Sequence, residues 1–113
     1  MYLDLAQLAS TNVLYLTTTG RSSGQPRTLE IWFVVYQQNL YLNAEHGYQA
    51  QWVRNILHQP RVSIRLQEQT FDGQARVLQE PEDDALWRIV CALSRQKYGW
   101  GDGLPVEIRP VFS

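Results

Sequence analysis

Residues 13–36 have the sequence VLYLTTTGRSSGQPRTLEIWFVVY, which gives the chain its β character. β-Branched and aromatic residues dominate 13–19 and predict a strand there. Residues 28–36 carry apolar side chains in both alternating sets, so they predict a second strand with both faces largely covered. Gly20 and Gly24 bracket a polar turn between the two strands. The stretch therefore predicts an antiparallel pair joined by a flexible polar connection.

The rest of the chain alternates between helix and strand patterns. Amphipathic spacing predicts the helices, and short alternating runs bounded by turn residues predict the strands. The expected helices cover 3–9, 48–58 and 80–95, and the further strands cover 40–44, 62–66, 70–78 and 104–108. Hairpin-type links favour one antiparallel sheet of six strands that can close into a small barrel, with helices at its rims. This order disfavours a doubly wound parallel sheet.

Length and charge restrict the class of protein. The chain has 113 residues, which fits a single domain over residues 1–113. Its formal net charge is −1, with 10 basic and 11 acidic residues, so we expect no nucleic-acid partner. The longest apolar run is far too short for a transmembrane helix, and no signal pattern opens the chain. With a lone Cys91 and no disulfide framework, we expect a cytoplasmic protein without membrane insertion.

Two features of the composition favour a planar or anionic ligand. Aromatic residues make up 12% of the chain and include four tryptophans, and flat apolar surface suits planar ligands or an interface. Nine of the ten basic residues are arginine, which favours bidentate contacts to carboxylate or phosphate. A base-composition effect of the genome explains the arginine bias better than a function does, so the bias alone assigns no site.

The turn within residues 17–28 is the first candidate site. It combines hydroxyls, glycines and two arginines, Arg21 and Arg27, on backbone that can curve around a phosphate. It is not a nucleotide P-loop, because it has no Gly-Lys-Ser/Thr ending and a strand follows it. An ordinary polar hairpin with solvated arginines explains the same residues. If the helix start at 52–55 faces this turn, the two can share one phosphate.

Other side chains add a planar-ligand hypothesis but no reactive group. Trp32, Tyr98 and Trp100 can contact a flat ring, although a dimer contact or a helix end explains them as well. His46 and His58 lack the spacing of metal ligands, so we expect no metal site. No hydrolase motif or catalytic acid pair is present in the sequence. If the chain is an enzyme, it therefore needs a cofactor.

Three segments carry a family resemblance: LTTTGRSSGQPRTLEIWFV at 16–34, WVRNILHQPRV at 52–62 and TFDGQARVL at 70–78. Together they resemble the deazaflavin-dependent nitroreductase family of the flavin-binding split β-barrel (pyridoxamine phosphate oxidase-like) superfamily. KYGW at 97–100 and PVEI at 105–108 are similar to the tail of that family. The resemblance covers most of the chain in the expected order.

The resemblance implies a mainly β (α+β) fold, a six-stranded antiparallel split β-barrel with flanking helices. It also implies a homodimer that binds FMN or the deazaflavin coenzyme (factor 420) and passes a hydride to a small planar acceptor, a quinone or nitroaromatic compound. No catalytic side chain is assigned, and Arg27 is the first choice for the phosphate contact. The implied cofactor-binding residues are Arg21, Ser22, Ser23, Gln25, Arg27, Trp32, Asn43, Ala44, Trp52, Asn55, Tyr98 and Trp100.

Two positions depart from the family pattern. Ser22 stands where relatives often carry a lysine beside the arginine of the turn, which removes one positive charge. Glu45 lies after the third predicted strand, in a stretch that is glycine-rich in relatives, and adds a negative charge. These departures leave FMN and the deazaflavin as open choices. The missing lysine also favours, as the alternative function, a non-enzymatic module that binds or sequesters a flavin or deazaflavin.

Overall fold

The computed structural model describes residues 4–111, which form one seven-stranded antiparallel sheet with three α-helices. This confirms the expected mainly β (α+β) class. The helices are α1 (Leu5–Leu8), α2 (Gln51–His58) and α3 (Asp84–Tyr98), with a 3₁₀ turn at Gly47–Gln49. The strands are β1 (Val13–Thr19), β2 (Pro26–Trp32), β3 (Val34–Tyr36), β4 (Asn39–Ala44), β5 (Arg61–Leu66), β6 (Gln69–Val77) and β7 (Leu104–Val111).

The sheet is a split barrel that does not close. Its strand order is β2-β1-β5-β6-β7-β4-β3, so β2 and β3 form its two edges. Only Phe33 lies between β2 and β3 in the chain, and the sheet must therefore curve until its two edges meet at this residue. One strand was expected over 28–36, and the break at Phe33 explains why the structure has seven strands instead of six.

The C-terminal turn of α3 holds this Phe33 junction together. The Phe33 amide donates to the Tyr98 hydroxyl at 3.0 Å, and the same hydroxyl lies 2.6 Å from the Asn12 carbonyl oxygen. The Lys97 ammonium donates to the Phe33 and Thr11 carbonyl oxygens at 2.9 and 2.7 Å. Backbone groups that leave the sheet ladder at the break thus keep hydrogen-bond partners, as buried polar groups require.

Alternating apolar residues build the core inside the curved sheet. Leu14 and Leu16 of β1 and Ile64 of β5 are fully buried, while their neighbours along each strand face outward. Val53 and Ile56 of α2 pack into the same cluster. Because α2 buries these two side chains, its first turn is fixed against the β1–β2 turn, and that contact positions the site described below.

α3 packs against β3, β4 and β7 on the side of the sheet opposite the core. Hydrogen bonds to Asp83 hold its N-terminal end in place. The Asp83 carboxylate accepts from Arg76 at 2.8 Å and from the Gln79 amide at 2.8 Å. The Arg76 contact holds the pKa of Asp83 below its usual value. Cys91 of α3 is 6% exposed, and burial raises the pKa of its thiol. Among the described residues, no helix is long and apolar enough to cross a membrane.

Candidate functional site

A groove with two compartments runs along β2. We call the first the arginine compartment, with a volume of about 490 Å³, and the second the tryptophan compartment, with about 440 Å³. Each is in the usual size range of a small-molecule site. The arginine compartment is lined by Thr18, Gly20, Arg21, Ser22, Ser23, Arg27, Thr28, Leu29, Gln51, Trp52 and Asn55. The tryptophan compartment is lined by Glu30, Ile31, Trp32, Asn43, Glu45, His46, Ala50, Trp52 and Trp100.

Trp52 joins the two compartments, because its side chain lines both. It lies in the first turn of α2 and packs partly against the core, which fixes its ring. Trp52 can therefore anchor the helix in the core and contact a ligand at the same time. A ligand that spans the groove passes this one ring.

The β1–β2 turn is a tight backbone loop. The Gly20 amide donates to the Gln25 carbonyl at 2.8 Å, and the Gly24 amide donates to the Gly20 carbonyl at 2.8 Å. The Ser23 hydroxyl accepts from the Gln25 amide at 3.1 Å. A Cβ at Gly20 would lie 2.7 Å from the Ser23 Oγ, and Gly24 has a positive φ of 72°. Both glycines are thus needed for the loop that presents the two arginines.

Asn55 connects this turn to the helix and to the sheet. Its side chain is only 4% exposed. The Asn55 Oδ1 accepts from the Arg21 amide at 3.2 Å and from the Arg21 Nη1 at 2.9 Å, and its Nδ2 donates to the Thr18 hydroxyl at 3.1 Å. Gln51 accepts a further hydrogen bond from the Arg21 Nη2 at 2.8 Å. The start of α2 therefore faces the turn, and it orients the Arg21 guanidinium through neutral partners.

The arginine compartment carries positive charge without an opposing carboxylate. Within residues 4–111, neither Arg21 nor Arg27 forms an ion pair, and no Asp or Glu lines this compartment. Arg27 lies on β2 and is exposed. The Ser22 and Ser23 side chains line the same space. Two guanidinium groups with adjacent hydroxyls form a suitable site for a phosphate or carboxylate group.

Trp32 gives the tryptophan compartment a flat wall. Its ring stacks on the Tyr98 ring, with centroids 4.4 Å apart and an angle of 4° between the planes. The Trp32 side chain nevertheless remains 48% exposed. One face of the indole is therefore covered by Tyr98, and the ring offers its free surface to the compartment. A stacked pair held in this way is prepared to bind a planar ring.

Trp100 is a second, rigid wall of this compartment. The Ser94 hydroxyl donates to the Trp100 carbonyl at 2.7 Å. A Cβ at Gly103 would lie 2.7 Å from the Ala44 carbonyl oxygen and 2.9 Å from the Trp100 ring. A Cβ at Gly101 would meet the Cys91 carbonyl oxygen. The segment from Gly99 to Gly103 is thus closely packed, because its glycines allow the backbone to lie directly against α3 and β4.

Polar groups occupy the remaining wall of the tryptophan compartment. The Asn43 Oδ1 is buried and has no hydrogen-bond partner among the described residues, so a ligand donor or a water molecule can satisfy it. Glu45 and His46 follow β4, with 3.9 Å between the His46 Nε2 and the Glu45 Oε2. Glu30 lies on β2, two residues before Trp32. This compartment therefore has acidic character, opposite to that of the arginine compartment.

The structure brings most of the expected cofactor-binding residues to the groove. Arg21, Ser22, Ser23, Arg27 and Asn55 line the arginine compartment, Trp32, Asn43 and Trp100 line the tryptophan compartment, and Trp52 lines both. Three residues of the expected set do not line either compartment. Gln25 closes the turn through its backbone, Ala44 is buried beneath Gly103, and Tyr98 lies behind Trp32.

Some groove residues were not anticipated from the sequence. Gln51 precedes Asn55 by four residues, and residues at this spacing share a helix face, so the signal was present. Glu30 precedes Trp32 by two residues, which places both on one face of β2. His46 was considered only as a metal ligand. In the part of the chain described here, no cluster of His, Cys, Asp and Glu can hold a metal ion.

Solved structures share this fold at low sequence identity. HutZ, a heme storage protein from Vibrio cholerae, matches all of this chain and 93% of its own length, with 22% identity and a TM-score of 0.74. An F420-H2 dependent reductase, FDR-A, matches 87% of this chain and 93% of its own, with 23% identity and a TM-score of 0.64. An F420 reductase matches 99% and 96%, with 16% identity and a TM-score of 0.65. At these identities the likeness shows the fold alone.

The sequence itself decides the family. A sequence model of the F420H(2)-dependent quinone reductases matches residues 5–109, almost the whole chain. This range includes the segments that build the groove: the β1–β2 turn, β2, the end of β4 with the loop after it, α2 and the loop after α3. The resemblance to deazaflavin-dependent enzymes that residues 16–34, 52–62 and 70–78 indicated is confirmed. The chain belongs to the F420H(2)-dependent quinone reductase family, and it is a deazaflavin-dependent oxidoreductase.

Proposed function

We propose that this chain binds the deazaflavin coenzyme F420 in the groove along β2 and passes a hydride to a quinone. The observation that carries this proposal is the division of the groove into a cationic and an aromatic compartment that share Trp52. The coenzyme has a matching division, with a flat deazaflavin ring at one end and an anionic, phosphate-bearing tail at the other.

The residues of the arginine compartment fit the anionic tail. Asn55 and Gln51 hold the Arg21 guanidinium in place before a ligand arrives, which lowers the conformational cost of binding. Arg27 lies across the turn, and its side chain lines the same space. Charge-assisted hydrogen bonds from the two guanidinium groups would hold the phosphate, with the Ser22 and Ser23 hydroxyls as further donors.

The residues of the tryptophan compartment fit the ring. Trp32, already stacked on Tyr98, provides a flat surface, and Trp52 and Trp100 limit the access of water from two other sides. When bound, the deazaflavin supplies the hydride. The chain orients the ring and leaves room beside it for a planar acceptor, which is the contribution expected of a protein whose cofactor carries the redox chemistry.

Titration of the purified protein with F420, and separately with FMN, tests this proposal. We expect F420 fluorescence to be quenched at micromolar protein, and reduced F420 to be oxidised when a quinone such as menadione is added. FMN has the same ring-and-phosphate division and is the competing ligand, and a nitroaromatic compound is the competing acceptor. Tight FMN binding without F420 binding would overturn the choice of coenzyme.

We also propose that the protein works as a homodimer. β2 is an edge strand whose side chains are largely exposed, and one similar structure, with 24% identity and a TM-score of 0.62, is described as a domain-swapped dimer. A second copy beside β2 would narrow the open side of the groove. Light scattering of the protein in solution, with and without F420, measures the assembly directly, and a monomer under both conditions would exclude the dimer.

The second candidate function is binding without turnover. The similarity to HutZ supports it, because that protein is described as a heme storage protein and shares the fold over the whole of this chain. A wide aromatic compartment bordered by His46 also suits a flat macrocycle. Titration with hemin, followed by its Soret absorbance, tests this function. Hemin binding combined with no oxidation of reduced F420 by any quinone would favour the storage function.

A further inference from the structure

Reduction of a quinone to a hydroquinone needs a proton in addition to the hydride. A side chain that lies within hydrogen-bond reach of the acceptor can donate it more effectively than bulk water, because the donor is already positioned. Among the described residues, the titratable groups that line the tryptophan compartment are Glu30, Glu45 and His46, and no lysine or arginine lines it. The proton donor is therefore to be found among these three or outside the compartment.

Tyr98 and Lys97 lie close by but are committed to other partners. The Tyr98 hydroxyl binds the backbone of Phe33 and Asn12, and its ring lies behind Trp32. Burial also raises the pKa of Tyr98. The Lys97 ammonium donates to two backbone carbonyls at the Phe33 junction. Neither group lines the compartment, so neither can reach an acceptor that is stacked there.

His46 has the position and the chemistry that the step requires. Its side chain lines the tryptophan compartment and is 74% exposed, so it can exchange protons with solvent. Imidazole is the side chain that gains and loses a proton near neutral pH, whereas carboxylates are deprotonated there. The Glu45 carboxylate lies 3.9 Å from the His46 Nε2, at the same end of the compartment.

We propose that His46 is the proton donor to the reduced quinone, a role that rests on the proposed function. Two electrons and one proton reach the quinone as a hydride, which oxidises the reduced deazaflavin and leaves a hydroquinone monoanion. The N–H bond of the His46 imidazolium then breaks, and an O–H bond forms on the monoanion. His46 takes a new proton from water, and the second proton of the reduced coenzyme passes to solvent, so atoms and electrons balance.

His46→Gln tests the role, because glutamine is polar and similar in reach but cannot donate a proton as an acid. His58→Gln is the matched control, since His58 is the last residue of α2 and lines neither compartment. We expect both variants to bind F420 with the affinity of the unchanged protein. We expect His46→Gln to lose at least about tenfold in kcat with menadione, with little change in KM, because general-acid catalysis typically contributes this much or more.

The pH dependence separates proton donation from a structural effect. The kcat of the unchanged protein and of His58→Gln should fall as pH rises, because a general acid must carry its proton in order to donate it. The His46→Gln variant should show no such fall. Glu30 and Glu45 face the same compartment and are present in all three proteins, so the comparison isolates the side chain at position 46. Added imidazole should restore part of the activity of His46→Ala. Position 46 is open to solvent, so free imidazole can take the place of the missing side chain.

The outcomes distinguish this role from the function on which it rests. If the unchanged protein neither binds F420 nor oxidises its reduced form, the proposed function fails. If the unchanged protein turns over but His46→Gln keeps the same kcat and the same pH profile, the proposed function stands and His46 is not the donor. Loss of F420 affinity in His46→Gln alone would make His46 a binding residue and would also overturn its role as an acid.

Discussion

Arg27 carries the most direct test of the tail contact. Its side chain is exposed and lines the arginine compartment, and among the described residues it forms no ion pair that the substitution would break. Arg27→Ala should therefore weaken F420 binding by about 1.5–3 kcal/mol, or roughly 10- to 150-fold, and leave stability almost unchanged. Fluorescence titration measures the affinity, with Arg88→Ala on α3 as the control. Equal affinity for the unchanged protein and Arg27→Ala would remove Arg27 from the site.

Asn55 should behave differently, because it acts through other residues. The Asn55→Ala variant leaves the buried Thr18 hydroxyl without its Asn55 partner, and it leaves Gln51 as the remaining side-chain partner of the Arg21 guanidinium. A buried polar group that loses its hydrogen bond costs about 1–3 kcal/mol, so the free energy of unfolding should fall by about that amount. F420 affinity should fall as well, since Arg21 is held less firmly. Urea denaturation measures the first effect, and unchanged stability would show that Asn55 does not brace the turn.

The sequence anticipated these two residues to different degrees. Arg27 follows from the abundance of donors in one turn, because charge and hydroxyl content can be seen without a structure. The proximity of Asn55 to the turn was stated only as a condition, that the start of α2 should face residues 17–28. The structure meets that condition through the Arg21–Asn55 contact. The Asn55 side chain holds Arg21 because the fold brings α2 close to the end of β1. The spacing of residues along the sequence does not give that distance.

At the scale of elements, the Phe33 junction decides how the sheet is built. A single strand was expected over 28–36 because both alternating sets are apolar, and such a pattern gives no sign of a break. Phe33 and Val34 are both buried, which breaks the alternation of one inward and one outward side chain. The groups that stabilise the break, Lys97 and Tyr98, come from the far end of α3. Contacts between residues so distant in the chain cannot be derived from local pattern.

This junction should make stability depend on pH through Lys97. Burial lowers the pKa of Lys97 from 10.5 to about 8 in the folded protein. Between these values the unfolded chain binds more protons than the folded one, so rising pH favours folding. The free energy of unfolding should therefore increase with pH above about 8, relative to that of a Lys97→Met variant.

Urea denaturation of both proteins at several pH values up to about 10 measures this difference. Tyr41, whose pKa is raised to about 12 by burial and by its bond to Glu107, acts in the opposite direction above pH 10, because the unfolded tyrosine ionises first. It is present in both proteins, so the comparison isolates Lys97. If the unchanged protein instead loses stability relative to Lys97→Met as pH rises, the two carbonyl contacts favour the charged lysine more than burial opposes it.

At the scale of the whole molecule, the groove depends on segments that are far apart in sequence. The β1–β2 turn supplies the arginines, the first turn of α2 supplies Trp52, and the loop after α3 supplies Trp100. The curved sheet brings them together because β2 and β4 approach each other where the barrel is split. Charge is therefore separated along the groove, with arginines at one end and Glu30 and Glu45 at the other.

This separation of charge predicts how salt affects binding. Exposed charges are screened within about 10 Å at 0.1 M ionic strength and within about 3 Å at 1 M, so contacts between the tail and the arginines should weaken as salt rises. The dissociation constant of F420 should increase about three- to tenfold between roughly 50 and 500 mM KCl.

The deazaflavin ring on its ribityl chain, without phosphate, should bind more weakly but with almost no salt dependence. In Arg27→Ala the salt dependence of F420 binding should be reduced, because one of the two screened contacts is absent. If the phosphate-free compound showed the same salt dependence as F420, the ring would contact charged groups directly, and the assignment of tail and ring to the two compartments would have to be reversed.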